Sequence, residues 1–99
     1  MPAYAIGRLK ASDWSWLRDY RPTTAALIEK HGGRYLVSGG EIVQLEGDTP
    51  PPDALVVLEF ESLEQAQAWY ADPEYGPMIE LRQRNSELDF LLVEGIPPG

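Results

Sequence analysis

The segment His31-Gly32-Gly33-Arg34-Tyr35-Leu36-Val37-Ser38-Gly39-Gly40 constrains this chain more than any other stretch. Two adjacent glycines after Lys30-His31 admit the positive φ that ends a helix. Tyr35-Leu36-Val37 is strand material, being aromatic and partly β-branched. Gly39-Gly40 then lets the chain bulge or swing away. A helix stop, a strand and a strand break in such close succession call for a small α+β fold. They name no reaction, and no catalytic signature stands elsewhere in the sequence.

The flanking residues extend this pattern. Residues 2–9 read as a strand with Tyr4, Ile6 and Arg8 on one face and Ala3, Ala5, Gly7 and Leu9 on the other. The small-residue face suits close approach of a helix. Ser12 or Asp13 is expected to cap that helix, and Leu17, Tyr20, Leu27 and Ile28 recur at helical spacing. Pro22 predicts a kink near Arg18–Pro22. The second strand is expected over 33–38, with Ile42–Glu46 as a short extension or edge strand. Gly47–Asp53 holds three prolines and reads as a loop, since proline cannot donate to a ladder. Ala54–Phe60 is almost continuously apolar, the pattern of a central strand covered on both faces.

Ser62-Leu63-Glu64-Gln65 has the spacing of a capping box, opening a helix that carries Leu63, Ala66, Trp69 and Tyr70. Asp72 and Pro73 read as the cap and first turn of another helical piece. Pro77 is expected to limit that turn before helix carrying Met78 and Leu81 runs toward Asn85. Phe90–Val93 forms the last strand, closed by Gly95 and Pro97-Pro98. The order is β-α-β-β-α-β with an extra helical turn, as one domain over residues 1–99. Right-handed crossovers put the first and third strands in the middle of an antiparallel, ferredoxin-like sheet, with the helices on one face. The other face needs a cover.

Composition narrows the function classes. Ninety-nine residues at 43% hydrophobic content give one modest core, so a second subunit is a natural further source of stability. Three Trp, five Tyr and two Phe are many for so thin a layer, and they require a partner or a ligand as cover. The net charge of −8 opposes a phosphate backbone or an anionic membrane surface. The chain has no cysteine, which removes disulfides, thiolate nucleophiles and thiolate metal sites. No apolar segment approaches the ~20 residues that span a bilayer. The opening Met-Pro-Ala-Tyr-Ala-Ile lacks the basic and apolar runs of a secretory leader. A soluble cytoplasmic protein is expected.

An ordered set of residues resembles the DUF1330 family: Met1-Pro2-Ala3-Tyr4, Tyr20-Arg21, Gly32-Gly33-Arg34-Tyr35-Leu36-Val37, Glu59-Phe60, Trp69-Tyr70, Pro73-Glu74-Tyr75, Arg82 and Val93-Glu94-Gly95. The resemblance runs from the first strand to the last. It implies a dimeric α+β barrel, in which two ferredoxin-like sheets pack face to face as a homodimer. It implies no reaction, because the superfamily includes cofactor-free monooxygenases, isomerases, haem proteins and ligand sensors. This chain has Ser38 where the family often carries arginine.

Candidate site residues follow from chemistry. Glu59 lies among Leu and Val, where a desolvated carboxylate can act as a general base with a raised pKa. The other reading is a structural pair with an arginine or a tyrosine hydroxyl, or a strand end that reaches water. Tyr20, Trp69, Tyr70 and Tyr75 serve either as core or as the wall of a pocket. Arg82 offers a bidentate site for a carboxylate or an ion pair between helices. The expected cavity touches Tyr20, Glu59, Tyr75 and Arg82. His31 is the only histidine and reads as a cation at a helix C-terminus. With no metal spacing and no phosphate loop, no cofactor is expected. The function classes left are a cofactor-independent enzyme acting on a small organic acid or aromatic metabolite, a non-catalytic small-molecule-binding module, and a structural dimer.

Overall fold

Alternating small and polar residues set the first strand, β1 (Ala3–Lys10): Ala3, Ala5 and Leu9 are buried, while Ile6, Arg8 and Lys10 are exposed. A computed structural model describes residues 1–97, so Pro98 of the closing proline pair lies outside the described residues. The first helix, α1 (Leu17–Lys30), buries Thr24, Leu27 and Ile28 and runs through Pro22 as one helix. Its N-cap, Trp16, supplies no side-chain cap. Asp13 instead folds the turn before the helix, accepting from the backbone N–H of Ser15 at 3.1 Å and from its hydroxyl at 2.8 Å.

The end of α1 shows why two glycines stand there. Gly32 takes φ +77°, its N–H donates to the Glu29 carbonyl at 3.0 Å, and the Gly33 N–H donates to the Ile28 carbonyl at 2.8 Å. This is the double-bonded Schellman closure. Gly33 has a different constraint, since a Cβ there would sit 2.4 Å from the Phe60 ring. The chain then enters β2 (Arg34–Ser38), whose pairing is broken by a bulge between Tyr35 and Val37. Gly39 and Gly40, at φ +80° and +91°, turn the chain off the edge of the sheet. That turn explains a correction: Ile42–Glu46 forms no strand.

The third strand is β3 (Ala54–Phe60). Ser62 then caps α2 (Leu63–Ala71) by accepting the Gln65 N–H at 3.2 Å. Only that half of the expected box forms, because the Gln65 side chain meets the Ser62 hydroxyl instead of the backbone. Asp72 terminates α2 and accepts the Glu74 N–H at 2.9 Å. Pro77 stands in the first turn of α3 (Gly76–Asn85), where a missing N–H breaks no helical bond; it starts the helix and does not limit it. The last strand is β4 (Glu87–Glu94).

The sheet is antiparallel with the order β2-β3-β1-β4, the ferredoxin-like arrangement. All three helices contribute to the cover of one face, where Leu27, Ile28, Leu58, Phe60, Trp69 and Tyr75 make the core, with Met78 and Ile79 packed against it. The dimeric α+β barrel implied by the family resemblance is not formed. The sheet is open, with β2 and β4 at its two edges and unpaired with each other. Four strands are too few to close on themselves, since about eight leave an interior that side chains can fill. Nor is β3 covered equally on both faces: Leu58 and Phe60 are 1% exposed, whereas Leu55 and Val57, facing the other way, are half-buried.

Candidate functional site

Between α1 and the helix-side face of the sheet lies a cavity of about 420 Å³, within the usual range for small-molecule pockets. Its apolar floor comes from Leu9, Val56, Leu58 and Phe90, and its walls include Trp16, Tyr20, Thr24, Trp69 and Arg82. The helical period of α1 brings Tyr20, Thr24 and Ile28 to this wall at successive fourth positions. Trp16 packs edge-on against Tyr20 with ring centres 5.3 Å apart. At the rim, Arg21 donates to the Ser38 hydroxyl and so ties α1 to the end of β2. Asp53 also borders the cavity, its carboxylate accepting the Ala11 N–H at 3.1 Å.

Arg82, Tyr20 and Tyr75 form one polar cluster. Arg82 Nη1 donates to the Tyr75 hydroxyl at 2.8 Å and to the Tyr20 hydroxyl at 3.2 Å, and the two hydroxyl oxygens are 2.6 Å apart. Tyr75 is fully buried, and burial pushes its phenol far above the ordinary tyrosine value. It therefore keeps its proton, and either of the two hydroxyls can donate to the other. Tyr35, on the same lining, has its phenol raised to about 12 by burial. Among the described residues, three buried side-chain atoms have no hydrogen-bond partner from the protein: Thr24 Oγ1, Trp69 Nε1 and Arg82 Nε.

The structure brings together three of the four residues expected to share a site. Tyr20 and Arg82 line the cavity and Tyr75 stands behind them, bonded to both. Glu59 is on the opposite face of the sheet, where it pairs with Arg34 at 2.7 Å. The hydrogen bond from Arg34 holds its carboxyl below the usual range, burial pulls the other way, and a hydrogen bond from Tyr4 adds to the lowering. Trp69 is fully buried against Tyr75 and Phe60, with ring centres 4.6 and 5.5 Å away. Tyr70 is 45% exposed at the outer side of that cluster. His31 caps α1 and meets the Asp72 carboxylate at 2.8 Å, with Lys30 on the same oxygen at 3.1 Å.

Thr24 and Arg21 were not singled out by the sequence reading. A signal for Thr24 was present, because a hydroxyl interrupts an otherwise apolar helix stripe. Nothing local foretold that Arg21 would reach Ser38, a contact made by the packing of α1 on β2. Among the described residues no three His, Asp or Glu side chains gather as a metal cage. No helix among them is long and apolar enough to cross a membrane.

An open four-stranded sheet under three helices, with an aromatic-walled cavity between the layers, defines a ferredoxin-like α+β protein. The chain belongs to the DUF1330 family, a domain of unknown function whose model matches residues 2–96. Among curated proteins no sequence matches. Among solved structures, a protein of unknown function from Rhodopseudomonas palustris superposes with a TM-score of 0.74 at 17% identity, covering 98% of this chain and 84% of that one. SnoaB, a cofactor-independent oxygenase from Streptomyces nogalater, superposes with a TM-score of 0.62 at 13% identity, covering 98% of this chain and 95% of that one. A dimeric ferredoxin-like protein of unknown function from Jannaschia gives 0.63 at 9% identity, covering 96% and 100% respectively. At these identities the likeness is one of fold.

Proposed function

We propose that the protein binds a small organic acid or aromatic metabolite in the cavity between α1 and the sheet and acts on it without a cofactor. The observation that carries this reading is the lining of that cavity, an apolar floor beside the clustered Tyr20 hydroxyl and Arg82 guanidinium. Tyr20 is the group that handles a proton. Its side chain lines the cavity, and its hydroxyl shares hydrogen bonds with Arg82 and Tyr75. Glu59 was the sequence candidate for that role; it pairs with Arg34 on the opposite face of the sheet, and Tyr20 is proposed in its place. The fold shared with SnoaB supports cofactor-free chemistry only by analogy of scaffold.

The test is a thermal-shift screen of aromatic and carboxylic metabolites, followed by incubation and mass analysis of each hit. Turnover by the native protein, with binding kept and turnover lost in Tyr20→Phe, is the expected result. A hit recovered unchanged would make the protein a binding module, and no hit at all would leave the cavity a structural feature. A homodimer belongs to the same proposal. The dimeric relative from Jannaschia supports it, and light scattering tests it: a monomer at every micromolar concentration would refute it. A cytoplasmic setting belongs to the same proposal.

A further inference from the structure

The two edges of the sheet differ in what they offer a partner. β2 pairs with β3 through a bulge, whereas β4 pairs with β1 in unbroken register from Lys10↔Glu87 to Ala3↔Glu94. The outer side of β4 therefore presents a regular row of backbone N–H and C=O groups that an extended chain can pair. Beside that row, on the helix side, lies a second cavity of about 320 Å³ between β4 and α2. Ala66, Gln67 and Tyr70 of α2 and Phe90 and Leu92 of β4 line it, and Tyr70 and Leu92 are 45% and 37% exposed. This groove is preformed. The Tyr70 hydroxyl bonds the Arg82 guanidinium, and the Tyr70 ring stands edge-on to Phe90 with centres 6.3 Å apart.

An edge strand flanked by a helix, with an apolar groove between them, is the geometry in which a peptide adds as a further strand. Backbone bonds hold such a peptide, and its alternate side chains enter the groove. The intervening side chains would lie on the open face, beside Glu87 and Asp89. Those two stand opposite Lys10 and Arg8 in β1, yet the ion pairs of the described residues include neither of them. Arg8 donates instead to the Pro50 carbonyl at 3.4 Å. Glu94 and, on α2, Glu64 add exposed carboxylates, and β4 itself carries no lysine or arginine. We propose that β4 and its groove dock an extended segment of another protein, apolar at alternate positions and basic at those between. A second copy of this chain fits less well, because its β4 would set carboxylate against carboxylate and its β2 would bring a bulge.

The probe is the acetylated, amidated peptide Lys-Val-Lys-Phe-Lys-Val-Lys, titrated into the native protein at low salt and followed by calorimetry and amide NMR. Saturable binding is expected, with the shifts concentrated on β4 and α2. The counterpart with glutamate for lysine should bind about tenfold more weakly, since several cross-strand charge pairs change sign together. Glu87→Lys combined with Asp89→Lys, both at exposed positions, should remove or invert that preference. Serine in place of valine and phenylalanine should abolish binding, because nothing would fill the groove. Equal affinity for the lysine and glutamate peptides would overturn the proposal. So would shifts centred on the cavity under α1, or no saturable binding of the lysine peptide. Shifts at β4 that grow with protein concentration in the absence of peptide would give the edge to a second copy and overturn it as well. Should the double variant not fold, the native lysine-to-glutamate ratio decides alone.

Discussion

On the helix side of the sheet Leu58 and Phe60 are 1% exposed, whereas on the other side Leu91 and Val93 remain 70% and 49% exposed. Both sets are apolar residues on paired strands, and along each strand the two faces alternate. The helix side gains its cover from aromatic residues of α2 and the α2–α3 turn, above all Trp69 and Tyr75. The open side has only the irregular segment after β2, where Ile42 approaches Ile6 and Leu55, and the surface ion pair of Arg34 with Glu59. Hydrophobic residue type thus predicts strand formation on both sides equally, and cover on neither. Cover depends on what the rest of the chain can place there.

The largest expected effect breaks the covered side. Phe60→Ala removes a ring packed on Trp69 and under Gly33 and should cost about 3–5 kcal/mol of stability in urea titration. A loss below 1 kcal/mol would mean that the helical layer is far looser than its packing indicates. Next comes Tyr75→Phe, which keeps the ring but strips Arg82 and Tyr20 of a buried partner. A cost of about 1–3 kcal/mol is expected, and a neutral result would show that the cluster does not hold the helices together.

A smaller effect concerns the edge of the helical layer. The hydrogen bond from His31 first, then the Glu74 N–H and Lys30, holds the Asp72 carboxyl well below its ordinary value. Its folded pKa is therefore below its unfolded pKa of about 3.9. The stabilisation is complete above that pH and is lost as pH falls toward the folded value. Asp72→Asn should lower the melting temperature at neutral pH and flatten the loss below about pH 4. An acid limb identical to the native one would exclude Asp72 as its source. The smallest effect belongs to the open side. Leu91→Ala should change monomer stability by no more than about 0.5 kcal/mol; a cost near that of Phe60→Ala would erase the contrast between the faces.

Much of the fold was legible in the sequence. The four strands, the glycine closure of α1 and the Ser62 cap depend on neighbours in the chain, and local pattern reports them. The expected strand at Ile42–Glu46 failed because a strand needs a partner, and the turn at Gly39-Gly40 takes these residues off the sheet edge. Cover of both β3 faces failed for the related reason that continuous apolar sequence states a need without showing that it is met. At the site, Tyr20, Tyr75 and Arg82 were identifiable as aromatic and cationic residues on helical segments, and packing joined them across 55 and 62 residues. Glu59 was misplaced from that group by strand alternation: its neighbours Leu58 and Phe60 face the helices, so Glu59 faces away. Apolar neighbours in sequence do not specify a side.

The open sheet has a further consequence for solubility. Two outer strands leave rows of backbone donors and acceptors that another chain could extend, the first step toward a filament. β2 presents a bulge at Leu36 in place of a straight edge, and β4 carries exposed Glu87, Asp89 and Glu94. The first device breaks the register an incoming strand would need, and the second sets like charges side by side in any stack of copies. Part of the net charge of −8 therefore serves as insulation against self-assembly at β4. Replacing Glu87 and Asp89 by alanine should therefore open the β4 edge to self-association before the β2 edge.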